Sequence, residues 1–124
     1  MAVFVDNLTV ATTGTNLAVT GFGFNPTNLI VSVSGRGGLN TAMQYCYGMV
    51  DSSGTQCYDS IFADSTSRQS KAGSNKLISH YERIAGVLTE VINISFNSWV
   101  SGGFTWDVNL ASSNYVIHLR ATDS

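Results

Sequence analysis

Residues 92–120 read INISFNSWVSGGFTWDVNLASSNYVIHLR. Ile92, Ile94 and Phe96 alternate with Asn93, Ser95 and Asn97. After Gly102-Gly103 the alternation resumes, with Phe104, Trp106, Val108 and Leu110 set against Thr105, Asp107 and Asn109. Ser112-Ser113-Asn114 interrupts it again, and Tyr115, Ile117 and Leu119 then alternate with Val116, His118 and Arg120. Successive side chains of a strand point to opposite faces, so each run offers one apolar and one largely polar face. Three such runs joined by short polar turns predict an antiparallel meander with one buried face. A one-residue slip would turn the aromatics to water, which fixes the register.

The same grammar extends toward the N-terminus. Leu8 and Val10, then Leu17 and Val19, alternate with small or polar residues on either side of Gly14-Thr15-Asn16. Gly21-Phe22-Gly23-Phe24 leads into Asn25-Pro26-Thr27-Asn28, a turn holding the sole proline. Leu29, Val31 and Val33 form the next run, closed by Gly35-Arg36-Gly37-Gly38, which reads as a flexible turn. Residues 41–50 place Met43, Tyr45, Tyr47 and Met49 on one face, and residues 55–62 return after the turn Asp51-Ser52-Ser53-Gly54. Residues 63–75 read as a surface loop. Leu77, Tyr81, Ile84 and Leu88 match helical spacing with Gly86 as a cap, while Leu77, Ser79 and Tyr81 also alternate, so helix and strand both stand there. The prediction is an all-β chain of seven to nine strands with at most one short helix. It forms an antiparallel β-sandwich or jelly-roll-like domain spanning residues 1–124.

Composition narrows the function classes. Only 11% of the 124 residues are charged, against about 25% in a typical soluble domain, and the net charge is −2. Six basic residues scattered singly give no footprint for nucleic acid. No run approaches the length of a membrane span, and Met1–Asp6 lacks the basic and apolar regions of a secretion signal. The glycosylation triplets Asn7-Leu8-Thr9 and Asn93-Ile94-Ser95 are therefore read as chance. A polar but nearly neutral surface suits close contact with a protein lattice or with sugars rather than long-range steering.

Two stretches carry a resemblance. Val19–Val31, with Gly21-Phe22-Gly23-Phe24-Asn25-Pro26, resembles the opening of small proteins common in tailed-phage structural gene clusters. Val91–Arg120, with Ser95-Phe96, Gly103-Phe104-Thr105 and Tyr115–Leu119, resembles their close; such compact sandwiches are also similar to H-type lectin modules. The chain departs from the pattern at Ala121–Ser124 and in its Tyr- and Cys-rich middle. The resemblance implies a non-enzymatic virion protein, assembled in the host cytoplasm. The role expected is a capsid decoration (cement) protein that binds the major capsid protein lattice and self-associates, a trimer being one form. The alternative is a carbohydrate-binding module of a tail or fibre.

Individual residues sharpen these expectations. Residues 51–52 lie midway between Cys46 and Cys57, so a turn there places them opposite each other; a cross-strand disulfide and two free thiols both fit. Neither cysteine has a basic neighbour to make it a nucleophile. His118 lies on the polar face of the last strand and His80 is the only other histidine. No zinc spacing or cofactor motif is present, and Asp51, Asp59 and Asp64 read either as a calcium loop or as turn chemistry. Glu82 and Glu90 are not marked as a catalytic pair, and no nucleophile elbow or phosphate loop occurs. Trp99 breaks the phase of Phe96. Either it is exposed, as a glycan or interface contact like His118, or the strand bulges and turns it inward. Trp106 keeps phase and is assigned to the core.

Overall fold

A computed structural model describes residues 1–34, 43–64 and 68–124, so the Gly35–Gly38 turn and part of the expected 63–75 loop lie outside the described residues. The described residues form ten strands and no helix: β1 (Val3–Val10), β2 (Gly14–Thr20), β3 (Asn28–Ser34), β4 (Met43–Val50), β5 (Gln56–Ala63), β6 (Arg68–Gly73), β7 (Ile78–Ile84), β8 (Val87–Val100), β9 (Gly103–Leu110) and β10 (Ser112–Thr122). They build two antiparallel sheets, β1-β10-β3-β4-β5-β6 and β2-β9-β8-β7, packed as a sandwich.

The all-β sandwich is as the alternation predicts, with two differences of detail and one open alternative resolved. Strand order first: β8 and β9 form the expected hairpin, but β10 does not continue it. Ser112 already sits opposite Val10 of β1, so the Ser112–Asn114 segment extends β10 within the other sheet instead of turning a meander. Second, β6 occupies the segment read as a loop; its residues are largely exposed, and an edge strand with no buried face leaves no apolar period to read. Third, residues 78–84 are a strand and not a helix. Ala85 (φ 51°) and Gly86 (φ 80°) are the two left-handed residues of a tight hairpin turn, so Gly86 turns a hairpin where helical spacing suggested a cap.

Cross-strand rows show how the core is built. One inward row of the larger sheet runs Leu8–Ile117–Val33–Cys46–Ser60 and the next runs Leu119–Val31–Gly48–Tyr58. The rows are bulky under β10 and β3 and small under β4. There the smaller sheet comes closest: a Cβ added at Gly48 would lie 1.9 Å from the Leu77 carbonyl oxygen, and the Ser79 N–H reaches Cys46 Sγ at 3.4 Å. The smaller sheet fills the remaining volume with Ile92, Ile94, Phe96, Phe104, Trp106 and Val108, all buried.

One buried polar residue stands apart. His80 is fully buried, with its ring edge-on to Tyr115 at 4.9 Å, and neither ring nitrogen has a hydrogen-bond partner. Burial lowers its pKa to about 4, against the weaker opposing pull of Glu82. The unfolded chain takes up this proton near pH 6.5 and the folded chain only near pH 4. Stability is therefore complete above about pH 6.5 and falls as pH drops toward 4, by on the order of 3 kcal/mol. Replacing both unsatisfied nitrogens with apolar atoms removes that dependence. His80→Leu is expected to keep its melting temperature at pH 7 and to lose markedly less stability between pH 6.5 and 4 in urea titrations; an unchanged acid slope would disprove the assignment.

Candidate functional site

The outward face of the larger sheet differs from that of the smaller one. Residues opposite one another across strands form straight rows. The first runs Val5–Arg120–Ile30–Met49–Cys57, the second Asn7–His118–Ser32–Tyr47–Asp59, and the third Val116–Ser34–Tyr45–Ile61–Ser70. Val5 is 69% exposed, Met49 43%, Tyr45 41% and Ile61 39%, so large apolar side chains lie open across several strands. The Tyr45 and Tyr47 rings are nearly parallel, 18° apart with centroids at 6.3 Å. A groove of about 460 Å³ follows the first row, with Ile30 and Met49 along it, Arg120 toward one end and Cys57 toward the other.

The position of the tyrosines follows from the packing beneath them. Alternation along β4 must send either Cys46, Gly48 and Val50 or Tyr45, Tyr47 and Met49 inward. Only the smaller set fits under β7 at the Gly48–Leu77 approach, so the larger set is forced out. Partial burial, and then the neighbouring Tyr47, Cys46 and Asp59, raise the Tyr45 pKa.

The outer face of the smaller sheet is a self-satisfied polar carpet. Asp107 accepts from the Asn16 N–H (2.7 Å) and from Asn97 (3.2 Å); Asn109 bonds Asn93 (3.2 Å), and Ser98 bonds Thr105 (2.9 Å). Its polar groups are largely spent on one another.

The residues singled out in the sequence are dispersed by the fold. Trp99 does not stand out from the surface as a free contact. Asn97 is an extra residue between the Phe96–Trp106 and Ser98–Thr105 pairs, and this bulge turns Trp99 to the Phe96 side. Its ring packs on Phe96 (4.7 Å) and Phe104 (6.4 Å), and its Nε1 donates to the Asp51 carbonyl (3.2 Å). Trp99 therefore anchors the β4–β5 turn, together with Gln56, whose side chain accepts the Phe96 N–H (2.8 Å). His118 does lie on the outward face of the larger sheet. Both its nitrogens are engaged, Nδ1 with Asn7 Oδ1 (2.7 Å) and Nε2 with the Ser34 hydroxyl (3.1 Å), so it ties three strands together.

Cys46 and Cys57 are both free. The hairpin register pairs Cys46 with Ser60 and Cys57 with Met49, so the turn is centred past the sequence midpoint. The resulting offset is an odd number of residues, which puts the two thiols on opposite faces and prevents a bridge. Asp51 serves the turn: its carboxylate accepts from the Ser53 hydroxyl (2.7 Å) and from the N–H groups of Thr55 (2.9 Å) and Ser53 (3.0 Å), which lower its pKa. Asp64 pairs with Arg83 at 2.5 Å. Among the described residues no three His, Cys, Asp or Glu side chains converge on a metal site. Glu82 accepts the Tyr115 hydroxyl, and Glu90 is bound by Ser79, Lys76 and Asn93.

Sequence reasoning groups Met43, Tyr45, Tyr47 and Met49 on one face but does not identify that face as a surface, and it passes over Val5, Ile30, Ile61 and Arg120. The missed signal is the size contrast within β4, where Cys46 and Gly48 alternate with tyrosines. Comparison with protein-family models, curated proteins and solved structures returns no significant match.

The two thiols offer a direct check on this face. Cys57 is exposed, whereas Cys46 is buried and burial pushes its pKa up to about 11. The native protein is expected to react with a maleimide at one thiol only, Cys57, and with the second only in denaturant. Fast labelling of both in the native state would contradict the register.

Proposed function

We propose that the chain is a non-enzymatic structural protein of a tailed-phage virion, a capsid decoration protein that docks on the major capsid protein lattice through the outward face of its six-stranded sheet. The observation that carries this reading is the asymmetry of the two outer faces. One bears rows of exposed Val5, Met49, Tyr45 and Ile61 with half-buried Ile30 and Tyr47 between them, while the middle of the other is a network of Asn, Ser, Thr and Asp107 whose strands expose Ile84, Val87 and Leu110 only at their ends. Contiguous exposed apolar surface is uncommon on a free-standing domain and marks a contact surface. Aromatic and Met side chains over a nearly uncharged background match the make-up of protein interfaces. The virion setting itself rests on the resemblance of Val19–Val31 and Val91–Arg120. Repetition by capsid symmetry would let many modest contacts add up.

A second reading has one observation behind it. The nearly parallel Tyr45 and Tyr47 rings, with Asp59 and Ser32 beside Tyr47, form an aromatic platform flanked by hydrogen-bonding groups, as a sugar-binding face requires. In this form the carbohydrate-binding alternative uses the tyrosines and not Trp99.

Copy number relative to the major capsid protein, measured by mass spectrometry of purified particles, separates the two. Several hundred copies per particle are expected for decoration; a few to a few tens would move the protein to the tail or fibre and favour glycan binding. Absence from particles would end the virion reading. Met49→Asp with Tyr45→Ala is expected to abolish incorporation while changing stability by less than about 1 kcal/mol, as surface substitutions do.

A further inference from the structure

The four strand edges of the sandwich are not alike. The free side of β7 is turned into the molecule, with the Leu77 carbonyl against Gly48 and the Ser79 N–H on Cys46 Sγ. β6 carries Arg68 and Lys71 in an exposed segment, and charges of this kind oppose pairing. β2 is bent: its register against β9 shifts between Gly14 and Leu17, and Asn16 is left-handed at φ 56°. β1 is the least guarded: its one charge is Asp6, and its register against β10 shifts only beyond Leu8, before Val10. Val3–Leu8 runs in unbroken register against Thr122–Ile117, holds no Pro, Lys or Arg, and pairs with β10 alone. Its local cover is the Asp6 carboxylate, which accepts the Asn7 N–H at 2.8 Å and which a partner's carbonyl could replace.

We propose that β1 pairs antiparallel with β1 of a second copy, joining two six-stranded sheets into one continuous sheet in a two-fold dimer. The partner is an extended strand because the free edge offers backbone donors and acceptors. A second copy fits because the segment, with Asp6 as its one charge, can oppose itself without setting like charges face to face. An antiparallel pair related by a two-fold axis has that axis perpendicular to the sheet, so opposed residues share a face and one residue must oppose itself. The regular stretch Val3–Leu8 leaves Val5 and Asp6 as the residues nearest its middle. Asp6 on Asp6 would set like charges directly opposite. Val5 on Val5 avoids this and sets Val3 against Asn7 and Phe4 against Asp6. The first outward row then runs without a break through both copies, Cys57–Met49–Ile30–Arg120–Val5 and back again. An interface of this kind uses the same patch on both copies and closes at two, which separates it from a trimer.

This inference goes beyond the virion reading and does not depend on it, because it is measured on the isolated chain. Sedimentation equilibrium of the purified protein at tens of micromolar is expected to give twice the 13.2 kDa chain mass. Val5→Lys is expected to give a monomer with an unchanged circular dichroism spectrum. In a Cys57→Ser background, Val5→Cys is expected to form an intermolecular disulfide on mild oxidation. Val3→Cys is expected not to, since its symmetry mate would lie about 13 Å away along the strands. A monomeric or trimeric wild type, a dimer that survives Val5→Lys, or efficient crosslinking at Val3→Cys in place of Val5→Cys would overturn the proposal. Were Val5→Lys to lose its fold, the wild-type mass and the cysteine pair would still confirm or refute the proposal.

Discussion

The close approach of β7 to β4 governs the rest of this structure. Facing sheets in a sandwich ordinarily stand about 10 Å apart, with side chains filling the gap. Here the Leu77 carbonyl sits where a Gly48 side chain would be, so over that stretch one backbone rests on the other. The inward row can hold only Cys46, Gly48 and Ser60 at this point, and the free edge of β7 is sealed by the same contact. Bulk excluded from the interior has to go elsewhere. Phe96, Phe104 and Trp106 gather toward the other end of the sandwich, where Phe4 stacks on Phe22 at 4.3 Å and Trp99 joins Phe96.

The same constraint links the fold to function. Because β4 cannot bury its tyrosines, they stand on the outward face beside Met49, Ile30 and Ile61. A face made this way is stiff, since its side chains stand on a central strand paired on both sides. Its charges are few: Arg120, Asp59 and, on the β6 edge, Arg68. Rigid, neutral and partly aromatic surface favours contact-dependent docking over electrostatic capture. Pairing at the β1 edge would extend that face from one copy to the next.

Much of the fold is legible in the sequence, for reasons that differ by element. Strands with one buried face announce themselves by alternation, so β3 and β9 are readable to within a residue or two and the middle of the long β8 is readable, with Trp106 correctly placed in the core. β6 is invisible because neither of its faces is buried. β7 is ambiguous because Ile78, Ser79, His80 and Glu82 are all buried, which erases the period of two. Sheet membership is not readable for β10, since alternation says which face is buried and not which neighbour is paired. The candidate site suffers most from local shifts. A single inserted residue at Asn97 reverses Trp99, and a turn centred past the midpoint sends Cys46 and Cys57 to opposite faces. The tyrosine face is present in the sequence as a pattern, but the cause of its exposure lies on β7, remote along the chain.

The most direct measurement is the stability of Gly48→Ala. One methyl group placed 1.9 Å from a backbone oxygen cannot be absorbed by a side-chain rotation, so the two sheets must separate locally. The expected result is a loss of at least about 3 kcal/mol in urea unfolding, at the severe end for a single methyl group, with the melting temperature falling on the order of 10 °C. A variant as stable as the wild type to within about 0.5 kcal/mol would contradict the tight β4–β7 approach, and with it the claim that this approach forces Tyr45 and Tyr47 outward.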